Sequence, residues 1–257
     1  MKISDVTVYK VKPRWIFVKI STDEGIEGWG EMISGTKTET VVAGAYEIGN
    51  RLIGRNPFEI ERLFQEMHRS FFRGGPINGT IVSGLEMALW DIKGKAFNVP
   101  VYELLGGAAR DKIKVYSWIG GDRPSEVAEQ AQDRFDRGFT AVKMNATEEL
   151  HYIDSYQKVD EVVERVASIR ERFGDAMDIG VDFHGRVHKP MAKVLAKALE
   201  PFHPMFLEEV VLPENEEHFK EVADSVAVPL ATGERLYTRW QFKNLFKQGT
   251  VDIIQPD

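Results

Sequence analysis

The stretch Ile179-Gly-Val-Asp-Phe-His184 is a short apolar run that delivers a carboxylate, Asp182, at its end. Two later apolar runs end in the same way, at Glu208 and Glu234, and the three acids are spaced 26 residues apart. This interval is close to one strand-plus-helix unit of a (β/α)₈ barrel, whose eight units fill roughly 250 residues. Successive strands would then bring three oxygen ligands to one face, where they could hold Mg²⁺. The alternative is a chance spacing among the 40 acidic residues of the chain.

Strand and helix patterns alternate from Lys112 onward, which predicts a parallel sheet with crossover helices. Six apolar runs are predicted as strands: Ile113–Trp118, Ala141–Met144, Ile179–Phe183, Met205–Leu207, Pro229–Ala231 and Val251–Ile254. Five helices are predicted between them: Ser125–Arg137, Ile153–Phe173, Met191–Leu199, Glu214–Asp224 and Trp240–Gln248. This order is that of a TIM-type barrel.

The number of strands is smaller than a closed barrel needs. Residues 112–257 provide about 145 residues, whereas a full barrel takes roughly 250. A barrel that lacks two units would leave two parallel edge strands unpaired. Either the sheet is an open, doubly wound one, or the sequence stops before the native C-terminus. Because the chain ends on Ile253-Ile-Gln-Pro-Asp257, a strand tip without a final helix, we favour a C-terminally incomplete (β/α) barrel.

Residues 1–111 follow a different pattern, with strands first and helices afterwards, which predicts a separate α+β domain. The predicted strands are Val6–Val11, Trp15–Ile20 and Ile26–Glu31. The predicted helices are Thr38–Leu52, Pro57–Arg69 and Ile81–Phe97. Two glycine-bearing loops, Glu31–Thr38 and Arg73–Gly79, have the flexibility expected of active-site lids, although ordinary turns are an equal alternative.

Composition and charge exclude several classes of function. The chain has 257 residues, of which 43% are hydrophobic and 28% charged, as is usual for a globular protein. Its net charge of −7 disfavours nucleic-acid and anionic-membrane partners. There are no cysteines, so disulfides and thiolate metal sites are excluded. The lack of a signal-peptide pattern and of a ~20-residue apolar span predicts a cytoplasmic protein.

Several motifs make the chain resemble the enolase superfamily, and within it the mandelate racemase-like group. Besides the three spaced acids, the motifs are Gly28-Trp-Gly-Glu31, Ala88-Leu-Trp-Asp-Ile-Lys-Gly94 and Leu104-Leu-Gly-Gly107. The resemblance implies an α+β capping domain, residues 1–111, and a modified barrel, residues 112–257, that holds Mg²⁺ on Asp182, Glu208 and Glu234. It also implies a homo-oligomer.

Further motifs resemble the D-galactonate dehydratase family and related acid-sugar dehydratases. They are Val142-Lys-Met-Asn145 followed by Glu148-Glu-Leu150, Asp182-Phe-His-Gly-Arg186, and Pro190-Met-Ala-Lys193. This resemblance implies Mg²⁺-dependent dehydration of a sugar acid, with D-galactonate as the best single substrate. The reaction would remove the C2 proton, expel the C3 hydroxyl and give a 2-keto-3-deoxy acid.

His184 is the candidate general acid. It lies two residues after Asp182, so on an extended strand the two side chains would point the same way. There it could protonate a leaving hydroxyl, and the dehydratase resemblance assigns it that role. A single histidine is more often structural or solvated, and five others are present: His68, His151, His188, His203 and His218.

Lys143 and Asn145 also project in one direction from their predicted strand. The resemblance implies that racemases of the group carry a Lys-X-Lys pair here, whose second lysine is a base. Asn145 cannot take up and release a proton at neutral pH, which argues against racemisation. We expect Lys143 and Asn145 to bind substrate oxygens, unless Lys143 serves only an internal salt bridge. Arg186 would contact the substrate carboxylate or hydroxyls, or form a structural ion pair.

Asp257 lies 23 residues after Glu234, one strand further on. The resemblance implies that this aspartate orients a histidine on the next strand, which acts as the base. That histidine would fall beyond residue 257, so we expect a true 257-residue product to be inactive. The alternatives to a dehydratase are an epimerase, racemase or cycloisomerase on the same scaffold, or an inactive truncated or binding protein.

Overall fold

The computed structural model describes residues 1–33, 35–69 and 74–256. Its contacts divide the chain into two compact units, Met1–Lys112 and Ile113–Asp257. Within the described ranges, no helix combines the length and the apolar character needed to cross a bilayer. The predicted order of an α+β unit followed by a parallel β/α unit is confirmed.

The first unit begins with a three-stranded antiparallel sheet in the order β1-β2-β3. The strands are β1 (Ile3–Val11), β2 (Trp15–Thr22) and β3 (Glu27–Glu31). Side chains alternate across β2, so that Ile16, Val18 and Ile20 are buried. One face of the sheet therefore contributes to an apolar core, which the following helices share.

Among the described residues of this unit, four α-helices follow: α1 (Thr38–Gly49), α2 (Ile60–Arg69), α3 (Pro76–Phe97) and the single turn α4 (Val101–Leu104). Helix α2 begins three residues after the predicted Pro57, because the Asn56 side chain bonds the amide of Phe58 at 3.0 Å in a turn. Helix α3 begins five residues before the predicted Ile81. The predicted loop Arg73–Gly79 is therefore wrong over residues 76–79, since Pro76 starts the helix with a preset φ. Residues 34 and 73, which belong to the two predicted lids, lie outside the described residues, as do residues 70–72.

The Gly28-Trp-Gly-Glu31 motif has a packing role, because β3 lies directly against α3. A Cβ at Gly28 would come within 2.0 Å of the Ala88 carbonyl oxygen, and one at Gly30 within 1.9 Å of the Gly84 carbonyl oxygen. Those neighbours are backbone atoms of α3 and cannot rotate away. The two glycines therefore set the distance between strand and helix.

We expect Gly28→Ala to lower the free energy of unfolding by about 2 kcal/mol, because the strand must move off the helix. Urea unfolding followed by circular dichroism measures this change. Gly74→Ala is the matched control, since its Cβ would meet its nearest neighbour at 3.6 Å. Equal stability of the two variants would contradict the role given to Gly28.

The second unit is a six-stranded parallel sheet in the order β4-β5-β6-β7-β8-β9. Its strands are β4 (Ser117–Trp118), β5 (Ala141–Asn145), β6 (Asp178–Asp182), β7 (Phe206–Glu208), β8 (Leu230–Thr232) and β9 (Ile253–Ile254). The intervening helices are α5 (Val127–Asp136), α6 (Tyr156–Phe173), α7 (Lys189–Leu199), α8 (Glu216–Ala223) and α9 (Arg239–Gln248). Strand β4 is shorter than predicted because residues 113–116 are not in a strand, whereas Ser117 and Trp118 pair with Val142 and Lys143 of β5.

The two faces of this sheet differ in chemistry. Alternate residues such as Val142, Ile179 and Leu207 are buried in the core that the helices share. Their neighbours in sequence must point to the opposite face, because side chains alternate along a strand. That face receives polar residues in neighbouring register positions, Asn145 beside Asp182 and Asp182 beside Glu208. The sequence pattern thus builds an apolar layer and a polar layer from the same strands.

Asp154 stabilises the loop between β5 and α6. Its carboxylate accepts the backbone N–H groups of His151 at 2.9 Å and Ser155 at 2.8 Å, and it pairs with Lys158 at 3.2 Å. These donors lower the pKa of Asp154 from 3.8 to about 2, the two backbone amides first. Its contribution is therefore complete above pH 4 and is lost as the pH falls through about 2.

We expect Asp154→Asn to be less stable than the unsubstituted protein at pH 6, and the difference to shrink as the pH approaches 2. Denaturant unfolding at a series of pH values measures it. Asp160→Asn on α6 makes the same chemical change as a control. A stability difference that does not change between pH 6 and pH 2 would contradict the assignment.

Candidate active site

Two of the predicted metal ligands are the last residues of neighbouring strands. Asp182 ends β6 and Glu208 ends β7, and each is 1% exposed. Glu234 lies two residues beyond β8, and its side chain is 36% exposed. The carboxyl ends of parallel strands meet at one edge, so three successive strands bring their acids to the same edge of the sheet.

Lys143 lies between the two buried acids. Its Nζ is 3.1 Å from Asp182 Oδ2 and 2.6 Å from Glu208 Oε1, and it lies 5.7 Å from the centre of the Trp118 ring. Burial opposes the charge of Lys143, but the two carboxylates outweigh it and raise its pKa. The internal salt bridge that the sequence left open is therefore present, and a contact of Lys143 with substrate stays a prediction.

His184 lies in a tight turn and not on the strand. Strand β6 ends at Asp182, and His184 has a φ of +54°, in the left-handed region. The predicted strand Ile179–Phe183 therefore ends one residue earlier, at Asp182, and the expectation of an extended backbone at His184 is wrong. The two side chains still meet, because the His184 N–H donates to Asp182 Oδ1 at 2.7 Å and the turn folds the ring back.

The imidazole of His184 faces two carboxylates. Its Nδ1 lies 3.3 Å from Asp182 Oδ2 and 3.8 Å from Glu234 Oε1. The hydrogen bond with Asp182 raises the pKa of His184 against the opposing effect of burial. A raised pKa keeps the ring protonated to higher pH, as a proton donor requires.

The donor set fits a divalent cation. One carboxylate oxygen from each of Asp182 and Glu234 lies within 4.8 Å of the other, with a ring nitrogen of His184 beside them. Carboxylate oxygens are the ligands that Mg²⁺ prefers. Asn145 Oδ1 is buried and has no hydrogen-bond partner among the described residues, so this edge also offers an unused oxygen.

Glu208, the third predicted ligand, is engaged by protein groups in this geometry. Its Oε1 contacts Lys143, and its Oε2 accepts a hydrogen bond from Gln255 Nε2 at 3.0 Å. Burial, with the charge of Asp182, raises the pKa of Glu208 against the lowering effects of Lys143 and Gln255. The ligand set of Asp182, Glu208 and Glu234 stays a prediction.

Asn145 and Arg186 both contact the loop after β4. Asn145 Nδ2 donates to the Asp122 carbonyl oxygen at 3.0 Å, and Arg186 Nη1 donates to the same oxygen at 2.8 Å. Arg186 also forms an ion pair with the Asp122 carboxylate and lowers its pKa. The structural ion pair of Arg186 is thus present, whereas the predicted substrate contacts of Asn145 and Arg186 stay predictions. Asp257, the predicted orienting acid, lies outside the described residues.

Two residues of this region were not among the predicted site residues. Glu209 is fully buried directly after β7, and burial raises its pKa to about 7. Its oxygens lie 2.9 Å and 3.0 Å from Arg235 Nε. The sequence shows an acid directly after Glu208 and a basic residue directly after Glu234. Only the fold shows that these two side chains form an ion pair.

Comparison with known proteins places the chain in a family. Residues 1–106 match the family model described as mandelate racemase / muconate lactonizing enzyme, N-terminal domain. Residues 126–257 match the model described as enolase C-terminal domain-like. The chain belongs to the mandelate racemase group of the enolase superfamily. The predicted family is therefore confirmed on both units.

Similar members of the superfamily include curated proteins and solved structures. D-galactonate dehydratase of Pectobacterium atrosepticum is 50% identical over 258 residues, an alignment that covers 100% of this chain and 68% of that protein. An enolase superfamily member from Salmonella Typhimurium has a TM-score of 0.90 at 30% identity, over 100% of this chain and 73% of that one. An enolase of the mandelate racemase subgroup from Agrobacterium tumefaciens, solved with sodium and phosphate, has a TM-score of 0.88 at 31% identity, over 100% of this chain and 70% of that one.

Proposed function

We propose that this enolase superfamily protein catalyses the Mg²⁺-dependent dehydration of a sugar acid to a 2-keto-3-deoxy acid. The observation that carries the proposal is the position of His184, a proton donor whose ring lies 3.3 Å from Asp182 within a carboxylate cluster at the strand ends. The 50% identity to a D-galactonate dehydratase supports the reaction class and makes D-galactonate the first substrate to test.

The proposed reaction removes a proton from C2 and breaks the C3–O bond. His184 donates its proton to the departing C3 hydroxyl, which leaves as water, and the resulting enol takes up a proton at C3 to become the ketone. A general base must accept the C2 proton. Held by Asp182, Glu234 and Glu208, Mg²⁺ would supply electrostatic stabilisation of the charge that develops on the substrate carboxylate.

The remaining residues of the site would bind and orient the substrate. Lys143 keeps its ammonium between Asp182 and Glu208, where it fixes both acids and adds positive charge near a bound carboxylate. Asn145 contributes an amide that cannot act as a base, which favours elimination over the racemisation of related enzymes. The cytoplasmic location and the homo-oligomer expected from the sequence are part of this proposal.

The test is a substrate panel. The purified full-length protein is incubated with Mg²⁺ and a set of aldonates and aldarates, and 2-keto acids are detected as semicarbazones. We expect turnover of at least one aldonate, with D-galactonate among the best. Failure to turn over any sugar acid would reject the dehydratase proposal, and an epimer or lactone as product would favour the alternative reactions on this scaffold.

A further inference from the structure

His184 has a backbone conformation that a residue with a side chain rarely adopts. Its φ is +54°, and that of the next residue, Gly185, is +62°. For His184 this conformation is disfavoured unless the surroundings hold it there, whereas Gly185 adopts it without steric cost. The orientation of the imidazole therefore depends on whatever fixes this turn.

The turn is held from both sides of the His184 backbone. On one side, the N–H of His184 donates to Asp182 Oδ1 at 2.7 Å. On the other side, the carbonyl oxygen of His184 accepts a hydrogen bond from Arg235 Nη2 at 3.1 Å. Glu234, the residue before Arg235 in the sequence, has its Oε1 3.8 Å from His184 Nδ1. Residues 234 and 235 thus contact both the ring and the backbone of His184.

Arg235 is itself fixed by a buried acid. Its Nε lies 2.9 Å and 3.0 Å from the two oxygens of Glu209, which is 0% exposed. The N–H of Glu209 donates to the Ala231 carbonyl oxygen at 3.0 Å, which ties it to β8. Because a guanidinium is planar and rigid, fixing Nε also fixes the direction of Nη2. Glu209 therefore determines where the donor to His184 lies.

The space beside the turn gives an independent sign of this arrangement. A Cβ at Gly185 would lie 2.9 Å from Arg235 Nη2 and 2.7 Å from Leu212 Cδ2. The guanidinium thus fills the position next to Gly185, and a side chain there would displace it. Arg235, which lies 51 residues after His184 in the sequence, thus occupies the space that a side chain at residue 185 would need.

We propose that Arg235, anchored by Glu209, is a positioning residue that holds the His184 turn and thereby aims the imidazole at the reacting centre. Arg235 acts through the His184 carbonyl and needs no contact with substrate. The catalytic meaning of this inference rests on the proposed dehydration, whereas the positioning itself does not.

The informative variant is Arg235→Lys, because a lysine keeps a cation beside the buried Glu209 but lacks the fork that reaches His184. The matched control is Arg123→Lys in the loop after β4, where the arginine pairs with Glu149 at 2.8 Å. Circular dichroism checks that each variant is folded. If Arg235→Lys does not fold, Glu209→Gln takes its place, since it releases the guanidinium and leaves no unpaired buried carboxylate.

The first measurement compares two rates in D₂O, dehydration and the exchange of the C2 hydrogen. Dehydration needs the His184 proton, whereas exchange needs only the base. We expect Arg235→Lys to slow dehydration by about 10- to 100-fold and to leave exchange close to the unsubstituted rate. Arg123→Lys should change neither rate. Unchanged dehydration, or an equal loss of both rates, would overturn the inference.

The second measurement does not depend on activity. Imidazole ¹⁵N spectra of the metal-free protein report the environment of each of the six histidines, and His184→Asn assigns the relevant signal. We expect the His184 signals to move in Arg235→Lys and to stay in place in Arg123→Lys. Unmoved His184 signals would overturn the inference even if the protein is an active dehydratase. Conversely, a shift in a protein that turns over no sugar acid would reject the proposed function and keep the positioning role.

Discussion

His184→Asn is expected to slow dehydration by about 10²- to 10⁴-fold, the range that a positioned general acid contributes. Asparagine can occupy a left-handed turn, so the backbone at residue 184 should be preserved. The amide cannot donate a proton as an imidazolium does, and the C3 hydroxyl would have to leave without one. The C2 hydrogen should still exchange with solvent, because that step uses a different group.

His188→Asn provides the control for this prediction. His188 precedes α7 in the same connection, and its ring contacts Tyr152 at a centroid distance of 5.6 Å. The same substitution four residues away should leave dehydration within about a factor of two to three of the unsubstituted rate, since surface changes have small effects. If His184→Asn keeps full dehydration, or if His188→Asn loses as much, the acid role of His184 is wrong.

Removal of the metal should stop the reaction altogether. We expect EDTA to abolish turnover and Mg²⁺ to restore it, because the weakly acidic C2 proton requires charge stabilisation on the substrate carboxylate. Glu234→Gln should weaken Mg²⁺ binding by about 100-fold or more, since even the loss of an outer partner of a metal ligand costs 10- to 100-fold. Glu234 is partly exposed at 36%, so the variant should fold.

Isothermal titration of Mg²⁺ into each protein measures this effect directly, without substrate. Glu214→Gln, an exposed acid after β7, makes the same chemical change as a control and should leave the affinity unchanged. Activity that survives thorough chelation would contradict the metal-dependent account. Equal Mg²⁺ affinity of Glu234→Gln and the unsubstituted protein would remove Glu234 from the ligand set.

The strand ends were predictable because the spacing of Asp182, Glu208 and Glu234 reflects the repeat of strand and helix. In a parallel sheet this repeat converts directly into neighbouring positions at one edge, and Asp182 and Glu208 are indeed in register. The Gly28 and Gly30 motif was recognisable by resemblance. Its physical reason, the 2.0 Å approach to an α3 carbonyl, needed the structure.

The details that sequence patterns missed depend on contacts between distant residues. The sequence left Lys143 open between substrate and salt bridge, and only the fold brings Glu208 within 2.6 Å of it across two strands. The predicted strand ran one residue too far because Phe183 continues the apolar run, and the turn at His184 was not predicted. The pairing of Glu209 with Arg235 joins the ends of β7 and β8, and no local pattern predicts it.

The proposed dehydration requires the carboxylate cluster and His184 to act together. Proton NMR of the purified full-length protein with Mg²⁺ and D-galactonate in D₂O provides the test. The expected product of the unsubstituted protein is a 2-keto-3-deoxy acid with one solvent deuterium at C3. His184→Asn is expected to give substrate deuterated at C2 with little product. A C2 epimer, a lactone, or unchanged D-galactonate with no deuterium at C2 would contradict the proposed dehydration.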